Sequence, residues 1–226
     1  MIIAVFDLDG TLYTGHIGRG IADHHKTHRT KRFLLYLYLS THYPFWFLQK
    51  VGLVSDETGR SIWARDMGWL FRGWRPEEAD AASRWITKNY VIPRLRPNVM
   101  TRLENHRRSG HRLILLSGTP VPLLTAIGRE LGIEDVVGTP LRIHNGHFTG
   151  TSENPVCQGV NKVLRLENDL PGIEEVQWSE SWAYADSYSD LPVLERVGHP
   201  VAVYPDPALA TISKERSWEM ITEGQE

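Results

Sequence analysis

An apolar run, Ile2-Ile3-Ala4-Val5-Phe6, leads straight into Asp7-Leu8-Asp9-Gly10-Thr11-Leu12. Asp7 and Asp9 are two apart, so a regular strand would point both carboxylates to one face. Two nearby carboxylates repel each other, and they coexist when a cation neutralises them or one keeps a proton. A hard cation such as Mg²⁺ takes oxygen ligands and leaves room for a phosphate. Three later stretches carry parts that suit the same chemistry. Ser117 and Gly118 offer a hydroxyl and a backbone N–H to phosphate oxygens, Lys162 an ammonium, and Asp186 and Asp190 further carboxylates. Each has a plainer role when taken alone. Asp-Gly and Ser-Gly pairs are common in turns, a lone Lys is usually solvated surface, and Asp186 or Asp190 could cap the helix that follows. Their joint order and placement favour a phosphate site.

The elements that must position them are legible from hydrophobic patterning. A continuous apolar run closed by a turn signal reads as a buried strand, and such strands belong to parallel sheets. Residues 2–6 fit this description, as do His111–Leu116 ending at Ser117, Trp182–Ala185 ending at Asp186, and Pro200–Tyr204. Trp218–Ile221 reads as an edge strand. Helices are expected from Pro97 to a stop at Gly110, over 122–131 with Gly132 in the C′ role, over 162–167, over 191–197, and over 208–216. Residues 136–149 read as a hairpin turning at Asn145-Gly146. Parallel strands bring their carboxyl ends to one sheet edge, where open α/β sheets bind ligands. The expected fold is therefore a three-layer α/β domain, a doubly wound (Rossmann-like) parallel sheet, with an inserted helical cap. Residues 1–14 and 95–226 would form the core and 15–94 the cap.

The insert begins with Gly15, Gly18 and Gly20, which suggest a flexible exit from the first strand. A basic stretch follows, with His24, His25, Lys26, His28, Arg29, Lys31 and Arg32. His24 and His28, at i and i+4, could face one metal ion, but without a third ligand a solvated basic face is the expectation. Ile62, Trp63, Met67, Leu70 and Phe71 then recur at helical spacing between Asp56 and Gly73, and Pro76 with Glu77 opens another helix. The insert holds five of the eight Trp, Trp46, Trp63, Trp69, Trp74 and Trp85, which suits packing of a small helical core. The run from Phe33 to Leu53 carries a second reading, an apolar pocket or a peripheral membrane surface, since basic residues beside an aromatic stretch suit anionic lipid.

Composition sets outer bounds. Hydrophobic content of 41% with 23% charged residues describes a globular chain. A net charge of -2 gives no nucleic-acid footprint. Cys157 is the only cysteine, which excludes an intrachain disulfide and is compatible with a reducing cytoplasm; a buried structural thiol is its expected role. No basic region precedes the first apolar run, so no signal peptide is expected. Residues 33–48 make 16 positions broken by polar residues and Pro44, fewer than the roughly 20 needed to span a bilayer. The acidic end Glu223-Gly224-Gln225-Glu226 is expected to fray.

Taken together, Asp7-Leu8-Asp9-Gly10-Thr11-Leu12, Leu113-Ile114-Leu115-Leu116-Ser117-Gly118-Thr119, Gly159-Val160-Asn161-Lys162 and Ala185-Asp186-Ser187-Tyr188-Ser189-Asp190 resemble, in order, the four motifs of the haloacid dehalogenase (HAD) superfamily. The insert between the first two resembles the cap of its phosphoserine-phosphatase-like branch, subfamily IB. The resemblance implies a Mg²⁺-dependent phosphatase acting on a small-molecule phosphate ester. Asp7 would be the nucleophile, forming an aspartyl-phosphate, and Asp9 the acid and then the base. Asp7, the carbonyl of Asp9 and Asp186 would hold Mg²⁺, with Asp190 supporting them. Ser117, Gly118 and Lys162 would bind the phosphoryl group. Two departures touch the fourth motif: Ala185 stands where Gly is frequent, and Ser189 where phosphoserine phosphatases tend to have Asn. A third bears on substrate. Those enzymes place a Glu after the first motif to read an amino group, whereas Tyr13 to Gly20 holds no acid and has His16 instead. The expected substrate is amphiphilic rather than phosphoserine. A catalytically weak lipid- or protein-binding module that keeps the fold is the alternative.

Overall fold

The computed structural model describes residues 1–222; the predicted frayed end lies outside them. The chain opens with β1 (Ile3–Phe6), then runs through a helical insert: α1 (Ile17–Thr27), α2 (Arg32–Lys50), α3 (Asp56–Asp66) with a 3₁₀ turn (Met67–Phe71), and α4 (Pro76–Ile86). It continues as α5 (Pro97–Arg108), β2 (Arg112–Pro120), α6 (Val121–Leu131), β3 (Asp135–Thr139), β4 (Leu141–His144), β5 (His147–Ser152), α7 (Val160–Asp169), β6 (Trp182–Ala185), α8 (Leu191–Leu194), β7 (His199–Val203), α9 (Pro207–Glu215) and β8 (Glu219–Ile221).

Six strands form one parallel sheet in the order β3-β2-β1-β6-β7-β8. The doubly wound expectation is met, with β1 central and buried along its whole length. Alternation sorts its side chains to opposite faces. Ala4 and Phe6 join Leu113, Leu115, Tyr184 and the apolar residues of α5 and α6 on one face. Ile3 and Val5 join Ile114, Leu116, Ala183 and those of α7, α8 and α9 on the other. The first of these cores is continuous with the insert, through Leu12, Tyr13, Ile17, Ile21, Leu70 and Phe71. Burial on that scale stabilises by about 25 cal/mol per Å² of apolar surface, so the insert is welded to the sheet by packing as well as by the chain.

Several expectations needed correction. Residues 135–139 belong to the main sheet as β3, and the hairpin starts after Pro140, although Asn145 and Gly146 do turn it with positive φ. The glycines after the first motif are not a loose exit: Gly18 and Gly20 lie inside α1, and a Cβ on Gly20 would stand 2.8 Å from the Tyr90 ring. His24 and His25 are not a solvated face. Both are buried beside the Trp74 and Trp85 rings, and burial pushes both imidazoles down to about 4. α8 ends at Leu194, short of Val197, and the Gly198 N–H turns back to the Trp178 carbonyl.

The insert leaves and returns side by side. Thr14 N–H donates to the Arg94 carbonyl (2.9 Å), and Arg96 N–H to the Leu12 carbonyl (2.9 Å). It also meets β5, where Gly73 N–H donates to the Phe148 carbonyl (2.7 Å) and Phe148 N–H to the Trp74 carbonyl (2.8 Å). α2 packs Leu35, Tyr38 and His42 inward, with the Tyr38 hydroxyl on the Trp63 carbonyl of α3. Among the described residues no helix is long and apolar enough to cross a membrane.

Candidate active site

Strand register assembles the site. Phe6 pairs with Leu115 on β2 and with Tyr184 on β6. Asp7, Ser117 and Asp186 therefore follow within one or two residues on three adjacent parallel strands, at the edge where such sheets bind ligands. The Asp7 N–H still donates to the Tyr184 carbonyl (2.9 Å), so the first acid sits at the last rung of the sheet. Lys162 comes from the first turn of α7. Its Nζ lies 2.5 Å from Oδ1 of Asp7 and 2.5 Å from Oδ1 of Asp190, with all three side chains nearly buried. Thr11 donates to the other Asp7 oxygen at 3.3 Å.

Carboxylate oxygens of Asp7, Asp186 and Asp190 all lie within 4.8 Å of one another. Crowding and burial show in their chemistry. Burial, with Asp190 and Asp9 adding repulsion, pushes Asp7 up to about 6 although Lys162 pulls the other way. Burial, then Asp7 and Asp190, pushes Asp186 up to about 8. Burial opposes the charge on Lys162, but Asp190 and Asp7 outweigh it and hold the ammonium above its ordinary range. An all-oxygen cluster that resists losing its protons is a fit for a small hard cation such as Mg²⁺. Gly10 makes the fit possible. Its φ is +80°, and a Cβ there would fall 2.1 Å from Oδ2 of Asp186.

Asp9 is near this cluster but its carboxylate faces elsewhere. Oδ1 accepts the Tyr13 hydroxyl at 2.6 Å and the Ile17 N–H at 3.0 Å. Ile17 opens α1, and His16 at the N-cap makes no side-chain cap bond. Asp9 thus caps the first helix of the insert from outside, where the helix dipole favours a negative charge. His16 Nδ1 stands 3.8 Å from Oδ2 of Asp9, and that contact raises the imidazole above its ordinary value against the effect of burial.

Ser117 is buried, its Oγ sharing hydrogen bonds with the N–H and hydroxyl of Thr119. The Gly118 carbonyl accepts from Thr139, and α3 lies over it, with the Ala64 Cβ 3.4 Å from where a Gly118 Cβ would be. Arg60, also on α3, offsets part of the repulsion at Asp186. Ser189 accepts from Gln158 at 3.2 Å and contacts Ser187. Cys157 is buried and its thiol is pushed up to about 12 by burial, the profile of a structural rather than a reactive cysteine. Among the described residues His24 and His28 join no cluster of three candidate ligands.

Residue patterning did not point to several contributors. Tyr13 lies four residues after Asp9, and only the fold turns it back. Arg96 donates from Nε to the Gly10 carbonyl (3.1 Å) and stacks its guanidinium 3.7 Å from the Tyr204 ring centre. Nothing local marks it, because its partners are distant in sequence.

The family model of haloacid dehalogenase-like hydrolases matches residues 4–195. Over 224 residues the chain is 30% identical to a phosphoserine phosphatase of Mycobacterium tuberculosis, covering 96% of this chain and 69% of that one. It is 29% identical over 148 residues to a histidinol-phosphatase of Neisseria meningitidis, 64% of this chain and 67% of the relative. A solved protein of unknown function from Bordetella pertussis Tohama I superposes with a TM-score of 0.82 at 25% identity, covering 97% of each chain.

Proposed function

The chain belongs to the haloacid dehalogenase-like hydrolase family and is a phosphatase of that kind, and from that premise we propose that it hydrolyses an amphiphilic phosphate monoester through an aspartyl-phosphate on Asp7. The observation that carries this reading is the buried Lys162 held between Asp7 and Asp190, beside Asp186. In this reading residues 15–94 act as a cap over a core of 1–14 and 95–226.

Asp7 attacks phosphorus; its oxygen bonds to phosphorus as the bond to the alcohol oxygen breaks. Asp9 gives the leaving alcohol a proton, then takes one from the water that attacks the aspartyl-phosphate. That second displacement frees inorganic phosphate and restores the Asp7 carboxylate. Ser117, the Gly118 N–H and Lys162 hold the phosphoryl oxygens, whose charge grows most in the transition state. Asp7, the Asp9 carbonyl and Asp186 would hold Mg²⁺, with Asp190 supporting them. The ion would neutralise phosphate charge that the carboxylates otherwise repel. Tyr13 and the α1 N-terminus hold the Asp9 carboxylate beside the cluster, and His16 lies next to it.

Substrate choice falls to the insert. Phosphatase-named relatives differ in the substrates in their names, and this chain has no acid between Asp9 and Asp23 to read an amino group. The exposed aromatic side of α2 supports an amphiphilic alcohol instead.

The test is p-nitrophenyl phosphate turnover with Mg²⁺, wild type against Asp7→Asn, followed by phosphate esters of amino acids, sugars and lysophospholipids. Turnover should fall by a factor of about 10³ or more in the variant. A wild type without activity, or activity indifferent to Asp7→Asn, would defeat the reading and favour a binding module.

A further inference from the structure

We propose that α2 docks this protein onto an anionic lipid surface. Apart from Ser40 and Thr41, the middle of the helix carries apolar and aromatic residues on both its inner and its outer side. Leu35, Tyr38 and His42 recur at helical spacing and pack inward on α3. The opposite side stays open: Phe33 is 77% exposed, Tyr36 58%, Tyr43 60% and Phe47 61%, with Leu53 beyond the helix at 74%. A helix whose outer side is mostly aromatic and aliphatic belongs inside a larger core or against lipid. Contiguous exposed apolar area of this kind marks an interaction site.

Charge selects the occupant. From His24 to Ser55 the chain has no Asp or Glu, whereas Lys26, Arg29, Lys31, Arg32 and Lys50 are cationic, in a protein whose net charge is -2. A second copy would bring the same patch against itself, cation facing cation. Anionic headgroups instead complement it, and Tyr and Phe side chains suit the boundary between headgroup and acyl chain. Among the described residues no helix is fit to cross a bilayer, and in this proposal α2 lies along the surface. Lys26 and Arg29 are exposed and free to reach headgroups, while Lys31 is engaged by the Arg72 carbonyl and the Trp74 ring.

The docking surface stands apart from the phosphatase reading and rests on it only for what it says of substrate. α2 packs on α3, and α3 borders the phosphate site through Arg60 and Ala64. A lipid at α2 would therefore lie one helix, about 10 Å, from the site.

Co-sedimentation with vesicles of phosphatidylglycerol and phosphatidylcholine, against phosphatidylcholine alone, tests this. The wild type should pellet with the anionic vesicles and be released by salt. Tyr36→Ser with Phe47→Ser, and separately Lys26→Glu with Arg29→Glu, should each lower partitioning about tenfold, with far-UV circular dichroism unchanged in both and p-nitrophenyl phosphate turnover unchanged in the second. Absent binding, or binding indifferent to both double variants, overturns the proposal. A dimer by light scattering that Tyr36→Ser with Phe47→Ser dissolves, without vesicle binding, assigns the surface to a second copy. Vesicle binding by an inactive wild type would retire the phosphatase reading alone.

Discussion

The ammonium of Lys162 stands 2.5 Å from Oδ1 of Asp7, across 155 positions of chain. The pair is nearly buried, and Asp190 shares the same Nζ at 2.5 Å. Removing one partner of a buried pair strands the other charge, which costs more than the pair itself contributes. Lys162→Met should therefore destabilise by about 3 kcal/mol at pH 8, and less at pH 5.5, where Asp7 takes up a proton. Turnover should fall about 10³-fold, because phosphoryl charge loses its cation. Urea unfolding at the two pH values and p-nitrophenyl phosphate kinetics check this; a variant with wild-type stability and rate would show the Lys to be incidental.

Gly10 and Asp186 compete for one place. At φ +80°, a methyl group on residue 10 would sit 2.1 Å from Oδ2 of Asp186 and 2.7 Å from its Cγ. Gly10→Ala should displace that carboxylate and weaken Mg²⁺ binding about 10- to 100-fold, the range seen when a ligand's support is lost. Strain at positive φ should cost a further ~1 kcal/mol. The Mg²⁺ dependence of turnover and of the melting temperature measures both effects. Unchanged Mg²⁺ affinity would mean that Asp186 is not a ligand.

Protonation links metal to stability. An unfolded Asp ionises near 3.8, whereas folded Asp186 keeps its proton to about 8. Between those values the native state binds more protons than the unfolded one, so this group's contribution to stability falls as pH rises and is gone above about 8. Below about 6.5 the buried histidines with lowered values act in the opposite sense. From pH 6.5 to 8.5 Asp186 and the raised His16 imidazole therefore act in the same direction. There the metal-free protein should lose melting temperature as pH rises, Asp186→Asn should flatten that slope, and the rise on adding Mg²⁺ should be larger at pH 8 than at pH 6.5. Equal Mg²⁺ shifts at both pH values would break the link.

Much of the site was legible because it lies at strand ends. Apolar runs locate β1, β2 and β6, and whatever follows them must meet at one edge. What patterning missed depends on distant partners. β3 merges with the hairpin in the sequence because Val136-Val137 and Phe148 flank one Asn-Gly turn, although Pro140 between them breaks the strand. Gly18 and Gly20 read as slack, yet Ile17 and Ile21 bury in a helix and Gly20 admits the Tyr90 ring. The orientation of Asp9 could not be read at all, since a carboxylate that caps a helix eight residues later leaves no trace in local spacing. The apolar run of α2 suits core and surface alike, and the structure makes it both: one stripe packs while the rest faces out.

The two seams tie the insert to the sheet domain at both ends: Thr14 pairs with Arg94 and Leu12 with Arg96 at its entry and exit, and Gly73 and Trp74 pair with Phe148. α1, whose first N–H holds Asp9, is fixed between them, with Ile17 and Ile21 in the core that the insert shares with the sheet. The posture of one carboxylate is therefore set by the packing of the whole insert, and a change that loosens that packing far from the strand ends is felt at Asp9.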